Sequence, residues 1–283
     1  MRTKLFSKER NIYTFYKDAK NYISFCPDRG GIITKWISDS QSIFYFDEKR
    51  FLDHKQSIRG GVPILFPICG NLEDSTSSFG ENYLSLMQHG FARDEKWGYS
   101  FNEQKQCLRL SLTDNQKTIK YYPYKFNLNI DVILKVNSLT FEICIVNRSK
   151  KDMPVNFGLH PYFQISDFSK IEFFNYPLNC MDQNDNSLNL SSDLLNNVAD
   201  GIDILMYSSG KSVFKDYGLK RKITLIHPSP FNINVIWSNP PRKMVCMEPW
   251  TSPRNSFKDG FRKILISPNS QQKLFSSIKK EIL

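Results

Sequence analysis

The feature that most constrains the fold is a strict alternation of apolar and polar residues in the middle of the chain. Three successive segments show it, with apolar side chains at Leu108, Leu110 and Leu112, at Phe126, Leu128, Ile130, Val132, Leu134 and Val136, and at Phe141, Ile143 and Ile145. Successive side chains of a β-strand point to opposite faces of the sheet, so this period of two predicts strands with one face in a core. Asn137 and Ser138 predict a hairpin turn between the second and third segments. Long alternating strands favour an antiparallel sandwich over a fold in which strands and helices alternate.

Shorter segments rich in β-branched and aromatic residues lie on either side of this region, separated by turn-forming residues. We predict strands at 11–16, 22–26, 31–37, 42–46, 223–227, 231–237 and 263–267. A helical pattern is found only at 193–197 and in the last dozen residues. The Gly- and Pro-marked segment 59–70 predicts an ordered loop, 71–87 an exposed polar excursion, and 175–200 long loops. The 283 residues are enough for one large all-β domain or for two ordinary domains.

The distribution of charge bears on the kind of partner. The chain has 38 Lys and Arg against 28 Asp and Glu, a formal net charge of +10. The basic residues are scattered, and their densest cluster is Lys220-Arg221-Lys222. Proteins that read nucleic acids usually concentrate positive charge on one face or stripe, so we expect no nucleic-acid partner. The charge is compatible either with a generally basic surface or with an anionic small substrate.

Cysteine spacing and hydropathy bear on the compartment. Six cysteines lie far apart without a Cys-x-x-Cys pair, and several are within apolar segments. This spacing predicts reduced thiols in the core instead of disulfides or a zinc site. The first residues lack the apolar stretch of a signal sequence, and no segment approaches about eighteen uncharged apolar residues. We therefore expect a cytoplasmic protein without membrane contact.

Glu248 is the first candidate for chemistry. It ends an apolar strand and is followed by Pro249 and Trp250, which restrict the backbone and supply a broad apolar face. A carboxylate is costly to remove from water, so an acid in this position indicates either a functional group or a strand end that turns to solvent.

Four further candidates lie in segments marked by glycine or proline. If Val155, Phe157 and Leu159 point into a core, His160 lies on the opposite face of its strand and opens onto a concave surface or a cleft. The other three are His89, Arg59 and Arg93. A histidine and a carboxylate can perform acid and base chemistry near neutral pH, since imidazole titrates near about 6.5. A metal site is less favoured, because the histidines and Glu248 have no local ligand spacing.

Four segments of the chain resemble the signature segments of the aldose 1-epimerase (galactose mutarotase-like) family. In chain order they are Arg59-Gly60-Gly61-Val62-Pro63 with Phe66-Pro67, Gln88-His89-Gly90-Phe91-Ala92-Arg93 with Trp97, Gly158-Leu159-His160-Pro161-Tyr162-Phe163, and Glu248-Pro249-Trp250-Thr251. The resemblance extends from about residue 20 to residue 270 and is greater to the branch that includes glucose-6-phosphate 1-epimerases. It implies a single antiparallel β-supersandwich domain, from residue 1 to residue 283, with the site on a concave sheet.

The same resemblance implies a role for each candidate residue. Glu248 matches the general base that takes the proton of the anomeric hydroxyl, and His160 matches the general acid that protonates the ring oxygen. His89 matches a second histidine near the ring oxygen, and Arg59 matches a residue that holds sugar hydroxyls. Asp203 is the best match for a hydroxyl-binding aspartate, with Asp200 and Asp216 as alternatives. Arg93 faces either a sugar phosphate or a structural carboxylate.

The implied activity is the interconversion of the α and β anomers of a hexose or hexose 6-phosphate by ring opening and reclosure. It requires no cofactor and no metal, and its only expected partner is a small sugar or sugar phosphate, bound by a monomer or a weak dimer. One alternative is a non-catalytic carbohydrate-binding or sensing protein on the same fold. Another is a lyase or glycosidase, but a glycosidase needs two carboxylates facing one bond.

Overall fold

The computed structural model describes residues 11–72, 76–79, 82–102 and 104–283. In this part of the chain the regular structure is mostly β-strand. The strands are β1 (Tyr13–Asp18), β2 (Asn21–Cys26), β3 (Ile32–Ser38), β4 (Gln41–Ser42), β5 (Ile64–Leu65), β6 (Thr76–Phe79), β7 (Asn82–Ser85), β8 (Gly98–Asn102), β9 (Cys107–Thr113), β10 (Phe126–Leu134), β11 (Ser138–Asn147), β12 (Met153–Val155), β13 (Gly158–Leu159), β14 (Tyr162–Gln164), β15 (Ile171–Phe174), β16 (Asn179–Asp182), β17 (Leu188–Leu190), β18 (Asp203–Tyr207), β19 (Lys211–Asp216), β20 (Arg221–Ile226), β21 (Ile233–Ser238), β22 (Met244–Trp250), β23 (Ile264–Ile266) and β24 (Gln271–Ile282). The α-helices are α1 (Glu48–Leu52), α2 (Gln116–Tyr121), α3 (Ser191–Asn196) and α4 (Ser256–Asp259), and single 3-10 turns lie at Ala92–Asp94 and Phe168–Lys170.

Two eight-stranded sheets form the body of the molecule. The first has the order β15-β19-β20-β24-β11-β10-β9-β8, and the second has the order β17-β16-β18-β21-β22-β13-β5, with β14 also paired to β22. A four-stranded sheet, β1-β2-β3-β4, and the pairs β12-β23 and β6-β7 complete the described sheets. All of these strand pairings are antiparallel. The predicted antiparallel all-β class is therefore confirmed.

The alternating segments form strands, but β10 ends at Leu134 and leaves Val136 exposed, and Ser138 already belongs to β11. β9, β10 and β11 are neighbours in the first sheet, and β10 pairs with β11 as a hairpin in which Phe126 lies opposite Asn147. Their apolar side chains join one hydrophobic cluster with residues of the second sheet, such as Ile204 and Met247. The two sheets therefore share a core, and the second sheet has an opposite face that does not contribute to this core.

The last dozen residues correct the helical prediction. They form β24, which lies between β20 and β11 in the first sheet. Leu274, Ser276, Ile278 and Lys280 are buried at every second position, a period of two that the serines and lysines obscure in the sequence. Lys280 remains buried because its ammonium group donates to the main-chain oxygen of Ser38 at 3.1 Å.

Two segments predicted as irregular contain regular structure. Segment 175–200 includes β16, β17 and α3, so the prediction of long loops is wrong there, whereas the short helix predicted at 193–197 is found at Ser191–Asn196. Segment 71–87 includes the hairpin of β6 and β7, and residues 73–75, 80 and 81 lie outside the described part. Short hairpins in Asn- and Ser-rich sequence are set by pairing with neighbouring strands, which local composition does not report.

The six cysteines are free thiols, and all except Cys144 are buried, as predicted. None of the helices in the described residues has the length and apolarity needed to cross a membrane.

Arg221 is a buried link between separate sheets. It is fully buried in β20 and donates to the main-chain oxygens of Ser42 at 2.7 Å and of Gln164. Burial lowers its pKa to about 10, so the guanidinium stays charged at neutral pH. It therefore ties β4 and β14 to the first sheet.

We predict that Arg221→Ala lowers the free energy of unfolding by about 2–5 kcal/mol, because two main-chain oxygens lose their donor and a cavity forms. The measurement is the urea unfolding midpoint. Lys222→Ala is the matched control, because Lys222 is partly exposed and pairs with the exposed Glu281 at 2.8 Å, a contact worth less than about 1 kcal/mol. Equal midpoints for the two variants would contradict the prediction.

Candidate active site

The second sheet presents its functional side chains through the register of three strands. In β22, Val245 and Met247 join the core cluster, so Cys246, Glu248 and Trp250 lie on the opposite face. β21 pairs with β22, with Val235 opposite Glu248. β18 pairs with β21, with Asp203 opposite Trp237. Alternation therefore brings side chains from three strands onto the face turned away from the shared core.

Glu248 is buried beside His160. Its exposed fraction is 1%, and its Oε1 lies 3.3 Å from Nε2 of His160. The indole N–H of Trp250 donates to the other oxygen, Oε2, at 3.2 Å. Both carboxylate oxygens thus have a partner, and the interpretation of Glu248 as a strand end turned to solvent is wrong.

The ring of His160 is held by packing. Its imidazole stacks on the ring of Tyr162 with centroids 4.6 Å apart and an interplanar angle of 4°, and Trp237 meets it edge-on at 6.1 Å. Its Nδ1 is buried without a hydrogen-bond partner among the described residues. A histidine used in acid–base chemistry is often oriented by a hydrogen bond at its second nitrogen. Here the stacked tyrosine fixes the plane of the ring.

His89 is oriented by the main chain of Gly70. The Gly70 N–H donates to Nδ1 of His89 at 3.1 Å, and the His89 N–H donates to the Gly70 oxygen at 2.6 Å. Because Nδ1 accepts a hydrogen bond, the proton of the neutral ring is assigned to Nε2. The ring centroid lies 5.7 Å from that of His160 and 5.6 Å from that of Trp250. His89 therefore offers an N–H donor in a fixed direction.

One cavity of about 250 Å³ collects the predicted site residues. All six line it: Arg59, His89, Arg93, His160, Asp203 and Glu248. Of the alternatives to Asp203, Asp216 is fully buried in β19, where it accepts from the main-chain N–H groups of Ser166 and Leu219. Asp200 is exposed. Among the three aspartates, only Asp203 lines the cavity.

The cavity also contains residues that the motifs do not indicate. Ser57, Val235, Trp237 and Arg254 lie outside the four motifs, whereas Gln88 and Trp250 lie within motifs but are not among the predicted site residues. Arg254 is the most informative of them, since it donates to Asp203 Oδ2 at 3.1 Å. Its position in the proline-marked segment that follows Glu248 is the only sequence signal that could have indicated it.

The three arginines differ in how their charge is balanced. Arg254 pairs with Asp203, and Nε of Arg93 lies 3.7 Å from Asp94 while its Nη2 donates to the Gln88 oxygen at 2.9 Å. The guanidinium of Arg59 lies over the ring of Trp237, 5.1 Å from its centroid. Arg59 has no carboxylate within ion-pair distance among the described residues. The cavity therefore holds an unbalanced positive charge.

Burial shifts the titration of the acid–base groups toward their neutral forms. Burial, reinforced by the nearby Asp203, raises the pKa of Glu248 well above its ordinary value. Burial, with Arg59 and Arg93 nearby, holds the pKa of His160 well below 6.5. The pKa of His89 is also lowered, by burial and by the neighbouring His160. Burial thus disfavours the charged form of both Glu248 and His160.

A cation is less well suited to this cavity. The ligand atoms of His160, Cys246 and Glu248 lie within 4.8 Å of one another, a donor set that could in principle hold a metal ion. Burial, followed by the nearby Glu248, raises the pKa of the Cys246 thiol, which keeps it protonated. Metal binding requires the thiolate, and the arginines around the cavity oppose a further positive charge.

The sequence pattern of the family described as "Aldose 1-epimerase" matches residues 15–279. This match covers most of the chain, which therefore belongs to the aldose 1-epimerase family. The predicted family resemblance is confirmed.

Solved structures of related proteins have the same fold. A protein from Synechocystis sp. PCC 6803 superimposes with a TM-score of 0.92 at 30% identity, covering 98% of this chain and 99% of that one. A galactose mutarotase-like protein from Clostridium acetobutylicum superimposes with a TM-score of 0.83 at 18% identity, covering 100% of this chain and 98% of that one. The β-supersandwich predicted from the resemblance is confirmed.

Curated relatives match the chain over different lengths. Protein LacX of Lactococcus lactis subsp. lactis is 25% identical over 286 residues, covering 89% of each chain. A protein of Cenchrus ciliaris named "Putative glucose-6-phosphate 1-epimerase" is 28% identical over 154 residues. That alignment covers 50% of this chain and 44% of the relative, so the chain spans less than half the length of that protein.

We predict that the imidazoles of His89 and His160 remain neutral at pH 6, because burial lowers both pKa values. Unfolded histidines titrate near about 6.5, so below that pH the unfolded chain binds more protons and the free energy of unfolding falls as the pH is lowered. The measurement is a titration of the ring nitrogens by ¹H–¹⁵N NMR from pH 8 to pH 5. A midpoint at or above 6.5 for either ring would contradict the prediction.

Proposed function

We propose that this protein is a mutarotase that interconverts the α and β anomers of a hexose or hexose 6-phosphate. The observation that carries the proposal is the contact of 3.3 Å between the buried Glu248 and His160, in a polar cavity of an aldose 1-epimerase family member. A carboxylate and an imidazole at this distance can serve one sugar ring as base and acid.

The reaction needs two proton transfers at one sugar. The Glu248 carboxylate takes the proton of the anomeric hydroxyl while protonated His160 gives a proton to the ring oxygen, and the bond between that oxygen and C1 breaks. The open aldehyde rotates about the C1–C2 bond. On reclosure His160 takes the proton back from the former ring hydroxyl, and Glu248 returns its proton to the oxygen on C1. The protein ends in its starting protonation state, and the sugar is neither oxidised nor reduced.

The shifted pKa values bear on where the proton of the pair lies. Glu248 and His160 share one proton before and after ring opening, and only its position differs. Because burial raises the pKa of Glu248 and lowers that of His160, it favours the uncharged arrangement that follows ring opening more than water would. Among the groups around Glu248, the Trp250 N–H does most to favour the ionised form that ring opening requires.

The remaining predicted residues are assigned to binding and polarisation. His89, with its proton on Nε2, donates a hydrogen bond toward the ring oxygen and stays neutral. Asp203 accepts from sugar hydroxyls, and Arg59 donates to them. Trp237 and Trp250 offer apolar ring surface within the same cavity.

We favour a sugar phosphate as the substrate. The unbalanced charge of Arg59, the nearby Arg93 and the net charge of +10 all favour an anion. Relatives from Cenchrus ciliaris and Escherichia coli bear the name "Putative glucose-6-phosphate 1-epimerase", which agrees with this choice.

The test of the function is the rate at which fresh α-glucose, α-galactose and α-glucose 6-phosphate change anomer, measured by polarimetry or NMR. We expect acceleration over the spontaneous rate and a loss of about 10²–10⁴-fold in kcat for Glu248→Gln and for His160→Gln, since each removes one proton-transfer group. Glu281→Gln is the matched control, because Glu281 lies on β24 and is exposed. Full activity of Glu248→Gln would refute the mechanism. Sugar binding by folded protein without acceleration would instead favour a carbohydrate-binding protein.

A second prediction concerns the phosphate. Arg93→Gln should lower kcat/KM for glucose 6-phosphate at least about tenfold and leave that for glucose within about twofold, because a hydrogen bond to a charged group contributes about 1.5–3 kcal/mol. Arg242→Gln is the control, because Arg242 lies 4.0 Å from Asp47 and does not line the cavity. Equal losses for both sugars would exclude Arg93 as a phosphate ligand.

A further inference from the structure

Arg254 lines the cavity in a fixed position. Its Nη2 lies 3.1 Å from Oδ2 of Asp203, and Oδ1 of Asp203 accepts from the side-chain amide of Gln183 at 2.6 Å. The carboxylate is therefore held from both sides. The Arg254 side chain retains an exposed fraction of 29%, and that of Asp203 retains 23%, so neither is fully covered by protein.

Gly70 sets the path of the Arg254 side chain. A Cβ added at Gly70 would lie 2.3 Å from Cγ of Arg254, so the aliphatic part of the arginine runs directly against the Gly70 backbone. The main-chain groups of this glycine also make the two hydrogen bonds that orient His89. Asn255 donates from its main chain to the Asn71 oxygen at 3.2 Å. The segment that carries Arg254 is thus joined to the segment that positions His89.

The pair offers complementary hydrogen-bonding groups to a polyol. A guanidinium has five N–H donors, and Asp203 accepts at one of its terminal nitrogens. A sugar hydroxyl can donate and accept at once, so neighbouring hydroxyls can donate to the carboxylate and accept from the guanidinium. Because the two charges balance each other, a neutral hydroxyl binds without leaving an unpaired buried charge.

We propose that Arg254 is a specificity-determining residue that, together with Asp203, binds neighbouring hydroxyl groups of the sugar. The inference rests on the proposed function, whose substrate it restricts to sugars that present two such hydroxyls to the pair. Arg254 then contacts the substrate itself and takes no part in proton transfer. Substitution of Arg254 therefore weakens substrate binding, and only for sugars that carry the hydroxyl groups to which Arg254 donates.

The test compares wild type with Arg254→Met and Arg254→Lys on glucose 6-phosphate and glucose and on the 2-deoxy, 3-deoxy and 4-deoxy forms of glucose. We expect Arg254→Met to raise KM at least about tenfold with kcat within about threefold. We also expect that, for one of the deoxy sugars, KM is nearly the same for wild type and Arg254→Met, because this sugar lacks the hydroxyl that binds Arg254. Arg254→Lys should bind the sugar more tightly than Arg254→Met because it keeps the positive charge. It should bind less tightly than wild type because lysine lacks the planar set of guanidinium N–H donors.

Several outcomes would overturn the inference. A purely structural arginine would lower kcat, or raise KM by the same factor for every sugar in the series. Arg242→Met is the matched control, because Arg242 also lies beside a carboxylate, Asp47, and does not line the cavity. If Arg254→Met fails to fold, Arg254→Lys carries the comparison, and an unchanged KM profile in that variant counts against the proposal.

Binding measured without turnover separates this inference from the proposed function. Trp237 and Trp250 line the cavity, so quenching of tryptophan fluorescence by the same sugars gives a Kd in the absence of catalysis. If wild type accelerates no anomer exchange, the proposed function fails, and the fluorescence series still tests Arg254. An unchanged Kd for Arg254→Met with every sugar refutes the Arg254 proposal and leaves the mutarotase proposal intact.

Discussion

The burial of the Glu248 carboxylate beside His160 is the interaction on which the rest of the site depends. A carboxylate with 1% exposure is stable in the fold only when its oxygens have partners, and here the indole of Trp250 and the imidazole of His160 supply them. The same burial raises the pKa of the acid and lowers that of the imidazole. On an open surface water would solvate both groups, and their charged forms would not be disfavoured in this way. Exclusion of water from Glu248 and His160 by the sheet therefore sets their acid–base properties.

Strands and loops contribute differently to this arrangement. β18, β21 and β22 place Asp203, Trp237 and Glu248 on one face through the register of an antiparallel sheet, which leaves little freedom. The loops add further groups, such as His89, whose backbone has a φ of +66° and whose main-chain N–H and ring Nδ1 are both hydrogen-bonded to Gly70. Rigid strands and tied loops together fix the cavity before a ligand arrives.

The balance of charge in the cavity sets what it can hold. Three arginines and two carboxylates line it, and the Asp203–Arg254 pair is neutral as a unit. Arg59, stacked over Trp237 without a carboxylate in reach among the described residues, leaves the remainder positive. This potential opposes a cation near His160, Cys246 and Glu248 and favours an anionic or hydroxyl-rich ligand.

Much of the fold could be predicted from local patterns. The alternation in β9, β10 and β11 reports burial of one face directly, because side chains in a strand alternate between faces whatever the strand pairs with. β24 escaped prediction because its buried positions include Ser276 and Lys280, which are stabilised by neighbouring strands and by a distant main-chain oxygen. Burial of a polar residue depends on partners far along the chain, and no local window contains them.

The sequence by itself determined the antiparallel all-β class and, through four short motifs, five of the six predicted site residues that line the cavity, while it offered Asp203 as one of three aspartates. Only the tertiary structure decided that Glu248 is buried against His160, that Asp203 and not Asp200 or Asp216 lines the cavity, and that Arg254 pairs with it. Residue types and their spacing show which chemical groups the chain can supply. The Asp203–Arg254 and His160–Glu248 contacts join residues that are 51 and 88 positions apart in the sequence. Because only the packing of the folded chain brings such residues together, no local pattern in the sequence reports these contacts.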